Sequence, residues 1–384
     1  MAKKNAAATA DPFALLAADI GGELLNETDS VKQWIDTGNL ALNYLCSGRF
    51  VGGGIPSGKI IEIFGPSSSC KTLFGTNILK GCQKMGGFSL FLDAENSLNK
   101  EFAQKASHLE TSKVLVLKAD TLERAFAKMT AAIKKIREKF GNEKPLVIVY
   151  DSIAASPSER EFAETEMDED KVLQAKDMPG ERAKTCSKEL RKLTPILESH
   201  NATVLFINQV RNKIGIMFGS PETTAGGGKA LEYHTSLRLR TKAEKRFTDK
   251  LDNVIGMGVS VSNMKNKCFK PFIHARNMQL LYEQGINPFG GLLELLIQTE
   301  RIEGCGAGNY KVNEKFTGGA EAKFKASMER NDVPFDVLLK YPSMVDAENS
   351  EQVQEYMDIF GQAVKAVDEN VAKAEDIKED EGDE

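Results

Sequence analysis

Short, mainly apolar runs alternate along the chain with longer stretches whose apolar residues recur every three or four positions. The runs fall at residues 60–64, 88–92, 114–117, 146–150, 203–207 and 236–239. Runs of this length with little polar alternation read as strands buried on both faces. Between them, residues 122–140 and 183–199 show helical spacing. Together they predict an α/β fold, a mostly parallel twisted sheet with helices on both faces. Residues 48–58 are glycine-rich and end in Ile55-Pro56-Ser57-Gly58, a turn that leads into the first run.

The ends of the chain lack this alternation. Residues 1–10 have no periodicity, while Phe13, Leu15, Leu16 and Ile20, then Leu24, Leu25, Val31, Trp34 and Ile35, predict one or two helices outside the main core. Beyond residue 288 short helices and glycine turns suggest a small C-terminal α/β domain, and from about 366 the chain is too charged to pack. The expected division is an assembly segment at 1–45, a core at 46–287, a C-terminal domain at 288–365 and an acidic tail at 366–384.

Composition narrows the class. Of 384 residues, 41% are hydrophobic and 27% charged, which excludes a collagen-like or wholly disordered chain. No apolar run reaches the ~18 residues of a membrane span, and no apolar segment follows the basic start. A soluble, cytoplasmic protein with no membrane partner is expected. Six cysteines without a CxxC pair and four histidines argue against zinc. The net charge of -5 is carried by the last ten residues, EDIKEDEGDE, with seven acids and one lysine. The remaining body is close to neutral, which permits nucleic-acid binding without demanding it.

The candidate chemistry begins where the first run ends. Gly65-Pro66-Ser67-Ser68-Ser69-Cys70-Lys71-Thr72 lies between a predicted strand and a helical stretch at 73–85. This is the context of a phosphate-binding loop, in which backbone N–H groups and a helix N-terminus cradle phosphates. Lys71 would reach the β and γ phosphates of ATP, and the Thr72 hydroxyl would hold Mg²⁺. Cys70 stands where the pattern calls for glycine. It is either a thiol activated by the helix N-terminus and Lys71 or a small buried residue. Asp151 follows the run at 146–150, where a carboxylate can stand beside Mg²⁺; taken alone a strand-terminal Asp is more often a turn cap. Glu95 follows another run and suits a general base or a helix cap.

Further residues carry a family resemblance. Phe206-Ile207-Asn208-Gln209-Val210-Arg211-Asn212-Lys213-Ile214-Gly215-Ile216-Met217-Phe218-Gly219-Ser220-Pro221-Glu222-Thr223-Thr224 closely resembles the second DNA-binding loop of the bacterial RecA recombinases. Glu62-Ile63-Phe64-Gly65-Pro66, Leu92-Asp93-Ala94-Glu95, Asp151-Ser152-Ile153-Ala154-Ala155 and Lys265-Asn266-Lys267 are similar, in the family's order. The resemblance implies a RecA-type ATPase that polymerises on single-stranded DNA as a helical filament and exchanges it into homologous duplex DNA. Single-strand-binding and loader proteins are implied as further partners.

By the same resemblance Glu95 is the catalytic base, Lys71 and Thr72 hold phosphate and Mg²⁺, and Asp151 is the magnesium carboxylate. Asn99 and Phe102 contact adenine, and Tyr282 covers it. Gln209 senses the γ-phosphate, and Lys265 and Lys267 reach the ATP of a neighbouring subunit. In the DNA loop, Arg211, Lys213, Gly226 and Gly227 would meet phosphates while Ile214 wedges between bases, a use suited to a basic, apolar and glycine-rich segment. The first DNA loop should lie between residues 156 and 180; the expected contacts are Met178 within it and Lys184 and Arg191 just beyond it. That segment departs from the family, with seven acids between Glu159 and Lys171; Glu232, Tyr233 and an added residue at 226–229 depart too. Two rivals remain. One is a recombination mediator or paralogue that binds ATP and DNA without efficient hydrolysis. The other is a ring-forming helicase motor.

Overall fold

The computed structural model describes residues 12–22, 24, 31–96, 98–165, 180–212, 222–224, 227–248, 251–283, 285–288, 290–299, 303–306, 309–313 and 316–318. Helix α1 (Pro12–Ile20) comes first. Strand β1 (Trp34–Ile35) pairs antiparallel with β2 (Ile55–Pro56), and α2 (Leu40–Ser47) lies between them. Then follow β3 (Ile60–Gly65), α3 (Lys71–Lys84), β4 (Phe88–Asp93), α4 (Lys100–Ser107), β5 (Val114–Leu117), α5 (Leu122–Phe140) and β6 (Leu146–Asp151). Helices α6 (Glu159–Thr165) and α7 (Glu181–Ser199) precede β7 (Ala202–Asn212), β8 (Glu222–Thr224) and α8 (Gly228–His234). The long strands β9 (Leu237–Thr248) and β10 (Val254–Asn266) lead to β11 (His274–Leu281), β12 (Gly285–Ile286) and α9 (Leu292–Gln298). Three short strands, β13 (Glu303–Gly306), β14 (Asn309–Asn313) and β15 (Phe316–Gly318), form a separate antiparallel sheet.

The main sheet runs β12-β11-β10-β9-β3-β7-β6-β4-β5, with β8 paired to β7. From β9 to β5 neighbouring strands are parallel, while β10, β11 and β12 are added antiparallel. Strand β3 is therefore held on both sides, by β7 and by β9. The strand period of two divides each run between two cores. Ile61, Ile63, Phe91, Val147, Val149, Leu205 and Ile207 face the layer containing α2 and α3. Ile60, Leu90, Leu92, Ile148, Val204 and Phe206 face α5 and α7.

Helix α5 shows how local sequence sets an element. The Thr121 side chain accepts the Arg124 N–H at its start, and Gly141 ends it with a φ of 73°. Leu122, Ala125, Phe126, Met129, Ile133 and Ile136 form its buried stripe. Burying a side chain the size of Phe126 stabilises the fold by about 1.5–3 kcal/mol.

Two expectations change. Trp34 and Ile35 form a strand rather than a helix, and Ile35, Ala41, Leu42 and Leu45 are buried in the main core, because the β1–β2 ribbon carries α2 onto it. At the other end α9 buries Leu292, Leu295 and Leu296 in that same core. Among the described residues no helix is long and apolar enough to cross a membrane.

Candidate active site

Strand β3 delivers the chain to the site at Gly65, where a Cβ would lie 2.4 Å from the Thr241 carbonyl oxygen of β9, so only glycine fits. The loop that follows is braced from within. Ser69 Oγ donates to the Pro66 carbonyl at 2.8 Å and shares a hydrogen bond with Thr241 Oγ1 at 2.7 Å. Ser68 and Cys70 take left-handed conformations, with φ of 57° and 60°. Cys70 starts α3 without a side-chain cap, which leaves the first backbone N–H groups of a 14-residue helix facing the loop. The Lys71 ammonium folds over the loop and donates to the Pro66 carbonyl at 2.6 Å. Burial pulls its pKa below the usual lysine range, and the carboxylates of Asp151 and Glu95 partly offset this.

Adjacent parallel strands bring the acids to the same end of the sheet, since Asp93 on β4 lies directly opposite Asp151 on β6. Thr72 Oγ1 donates to Asp151 Oδ2 at 2.5 Å. Glu95, exposed just beyond β4, receives two donors on Oε1: Ser152 Oγ at 2.5 Å and Gln209 Nε2 at 3.2 Å. Residues 67–72, Glu95, Asp151, Gln209 and Tyr282 line one cleft, bounded on its apolar side by Leu73, Ile207 and Met257. The donor set fits a magnesium nucleotide. It offers backbone N–H groups and an ammonium for phosphates, a hydroxyl and carboxylate for the cation, and an acid within reach of a water.

Burial pushes the Asp151 pKa up to about 6, with the Thr72 hydrogen bond opposing and Glu95 adding to the rise. Its folded value exceeds the unfolded one, so the folded chain holds the extra proton between pH 3.8 and about 6 and loses stability as pH rises through that window. In buffer free of nucleotide and Mg²⁺, Asp151→Asn should therefore melt above the parent at about pH 7.5, the gap closing toward pH 4. A gap that widens on acidification in differential scanning calorimetry would refute this.

Cys70 resolves toward the small packed residue. Its thiol donates to the Met257 sulfur, and burial pushes its pKa up to about 11 against the pull of Lys71. Alkylation of Cys70 near neutral pH should be slow, as peptide mapping after iodoacetamide treatment can check. Rapid labelling there without nucleotide would restore the activated thiol.

Of the other expected residues, Asn99 is exposed where α4 begins, and Phe102 belongs to that helix. Lys265 on β10 donates to the Glu232 and Tyr233 carbonyls at the end of α8, at 2.5 and 3.1 Å, and Lys267 is exposed beyond the strand. Burial and the neighbouring Lys267 pull the Lys265 pKa down. Lys184 and Arg191 are exposed on α7, Arg211 lies on β7 opposite Thr223, and Gly227 caps α8. Met178, Lys213, Ile214 and Gly226 fall outside the described residues. The first of the segment's acids are tied locally. Glu161 and Ser158 cap α6 reciprocally, and Arg182 lies 3.7 Å from Glu161.

Three contributors carry at most a faint signal in the sequence. Ser152 and Met257 touch site residues directly, and Asn208 accepts the Gln209 N–H through Oδ1 at 2.9 Å. A polar residue ending an apolar run was the available clue for Ser152 and Asn208.

Comparison with known proteins bears on the same segment. Residues 22–287 match the family model of the RecA N-terminal domain. The chain is 38% identical over 268 residues to Protein RecA of Mycoplasma mycoides, covering 70% of this chain and 72% of that one. It is 33% identical over 326 residues to Protein RecA of Leptospira meyeri, covering 85% and 78%. With Protein RecA of Legionella pneumophila it shares 36% over 287 residues, covering 75% and 76%. A match that takes in the phosphate loop, the paired acids and the Gln209 strand in one span leaves a single assignment: the chain belongs to the RecA family.

Proposed function

We propose that this protein is an ATP-dependent recombinase of DNA recombination and repair, which assembles on single-stranded DNA and pairs it with homologous duplex while hydrolysing ATP in a DNA-dependent manner. The observation that carries the reading is the position of Gln209. Its side chain reaches Glu95, and its own strand runs on to Asn212, with residues 213–221 next in the sequence. One strand thus joins the hydrolysis centre to the segment read as the DNA loop.

When bound, ATP with Mg²⁺ supplies a phosphoryl group open to attack by water. Lys71 and the N-terminus of α3 would bind its phosphates, and Thr72 with Asp151 would hold the cation. Glu95 would take the proton from the attacking water at its carboxylate, while Ser152 and Gln209 orient that carboxylate. Tyr282 would cover the base, with Asn99 and Phe102 contributing to adenine recognition. Lys265 and Lys267 would act on the nucleotide of a neighbouring subunit. Arg211, Lys213, Ile214, Gly226, Gly227, Met178, Lys184 and Arg191 would contact DNA.

Self-assembly has support in α1, where Phe13, Leu15, Leu16 and Ile20 are 54–73% exposed and offer an apolar strip for another subunit. In domain terms the N-terminal arm would precede a core extending through α9, followed by a small C-terminal domain and the acidic tail.

Electron microscopy with single-stranded DNA and a non-hydrolysable ATP analogue tests the reading. A helical filament is expected, and closed rings would favour the helicase motor. Absence of DNA-stimulated ATP hydrolysis would favour the mediator.

A further inference from the structure

Strand β3 is apolar except for Glu62, which is fully buried. A carboxylate in a sheet interior is costly unless every oxygen is satisfied. Both of its oxygens are engaged. Oε1 accepts from Asn208 Nδ2 at 2.8 Å, and Oε2 accepts from Arg238 Nε at 2.5 Å. Burial raises the Glu62 pKa, and the Arg238 guanidinium beside it acts in the opposite direction. The guanidinium also stacks over the Phe64 ring, 4.7 Å from its centroid, and reaches Glu232 Oε1 on α8 at 3.0 Å.

These contacts form one path. Glu95 is held by the Gln209 side chain, and the Gln209 N–H is held by Asn208 Oδ1. Asn208 is held by Glu62, Glu62 by Arg238, and Arg238 by Glu232. The path leaves β7 just before residues 213–221 and arrives at α8, which begins just after Gly227. Glu232 is one of the positions where this chain departs from the bacterial pattern, and the structure gives its carboxylate a partner.

A buried ion pair is a poor source of stability compared with apolar side chains of similar volume. Its geometric specificity is another matter. Movement of α8 displaces Glu232 and with it the guanidinium, which alters the grip of Glu62 on Asn208. Misplacement of a positioning group by about 1 Å can cost about 10² in rate.

We propose that Glu62 and Arg238 are positioning residues, a buried charged clamp that holds Gln209 against Glu95 and couples the hydrolysis centre to α8. The proposal rests on the reading of Glu95 and Gln209 as hydrolysis residues. Neither clamp residue lines the cleft, so ATP affinity does not depend on them.

The test is steady-state ATP hydrolysis by the full chain with and without a saturating oligo-dT strand, together with thermal melting of each variant. Glu62→Gln and Arg238→Lys should lower DNA-stimulated kcat by about 10- to 100-fold, with KM for ATP within about twofold of the parent. Glu62→Gln takes away the buried partner of the Arg238 charge, and Arg238→Lys loses the fork that reaches both carboxylates, so both variants should also melt lower. Two further variants separate coupling from stability. Glu232→Gln leaves the buried pair intact, so it should keep the parental melting temperature and DNA-free hydrolysis while losing roughly threefold of the DNA stimulation. The double change Glu62→Gln, Arg238→Gln should recover melting temperature without recovering kcat. Recovery of kcat in step with melting temperature overturns the proposal, as does a rise in KM at unchanged kcat or full DNA stimulation in Glu232→Gln. Glu95→Gln in the same assay keeps the two readings apart. Parental hydrolysis there sinks the hydrolysis assignment itself, whereas loss of hydrolysis there with parental rates in Glu62→Gln sinks the clamp alone.

Discussion

Glu95→Gln is expected to lower DNA-stimulated ATP hydrolysis by roughly 10²- to 10⁴-fold while leaving ATP and DNA binding in place. The substitution keeps a carbonyl oxygen where Ser152 Oγ and Gln209 Nε2 now donate, so the shape of the cleft should survive. What it removes is an acceptor basic enough to take a proton from water. Lys71, which folds over the phosphate loop 2.6 Å from the Pro66 carbonyl, provides the contrast. Lys71→Ala should weaken nucleotide binding as well as turnover, because its charge meets the phosphates in the ground state too. Nucleotide titration beside single-turnover hydrolysis separates the two effects. Parental turnover in Glu95→Gln would falsify its role as the base.

The second large effect is expected from lysines that lie away from the cleft of their own chain. Lys265 donates to the carbonyls that end α8, and Lys267 projects from the exposed end of β10. A cation that completes a phosphoryl-transfer site from a neighbouring subunit is worth about 10³–10⁵ in rate. Lys265→Ala, Lys267→Ala should therefore be as inactive as Glu95→Gln when each is assayed alone. Mixed in equal amounts they should recover activity, because roughly one head-to-tail interface in four joins an intact base to intact lysines. Activity no greater than the sum of the separate proteins argues for lysines that serve only their own subunit.

The parts of this molecule visible in its sequence are those governed by local rules. Residues 122–140 read as one helix and form one, because Thr121, the apolar stripe and Gly141 all specify the same boundaries. The apolar runs at 60–64, 88–92 and 146–150 became central strands, each a residue longer at the carboxyl end. That extra residue is Gly65, Asp93 or Asp151, at the end of the sheet that carries the site. The loop at 65–72 and the acids Glu95 and Asp151 were legible for the same reason, since all three follow the carboxyl ends of parallel strands. Long-range pairing was not legible. Trp34 and Ile35 look helical by spacing and become a strand because Ile55 and Pro56 stand opposite them. Glu62 and Arg238 are 176 residues apart, and each looks like a stray charge in an apolar run until β3 and β9 align. A contact that forms around a nucleotide or across a subunit boundary, as proposed for Asn99, leaves no periodic trace in one chain.

The flanking of β3 by β7 and β9 has a consequence for synthesis. Glu62 and Asn208 meet across 146 residues of chain, and the partner on the other side is made later still. At about 5–20 residues per second, the strand that carries the phosphate loop waits roughly 7–30 s after emerging before it has a neighbour. Strands β4 and β6, closer in sequence and parallel to each other with α5 between them in the chain, can associate first. During that interval an apolar strand of six residues has no sheet to join, and its protection falls to chaperones or to the speed of the ribosome. A ribosome-bound chain arrested near residue 200 should accordingly retain no ATP on a nucleotide resin, and one long enough to expose β9 should retain it.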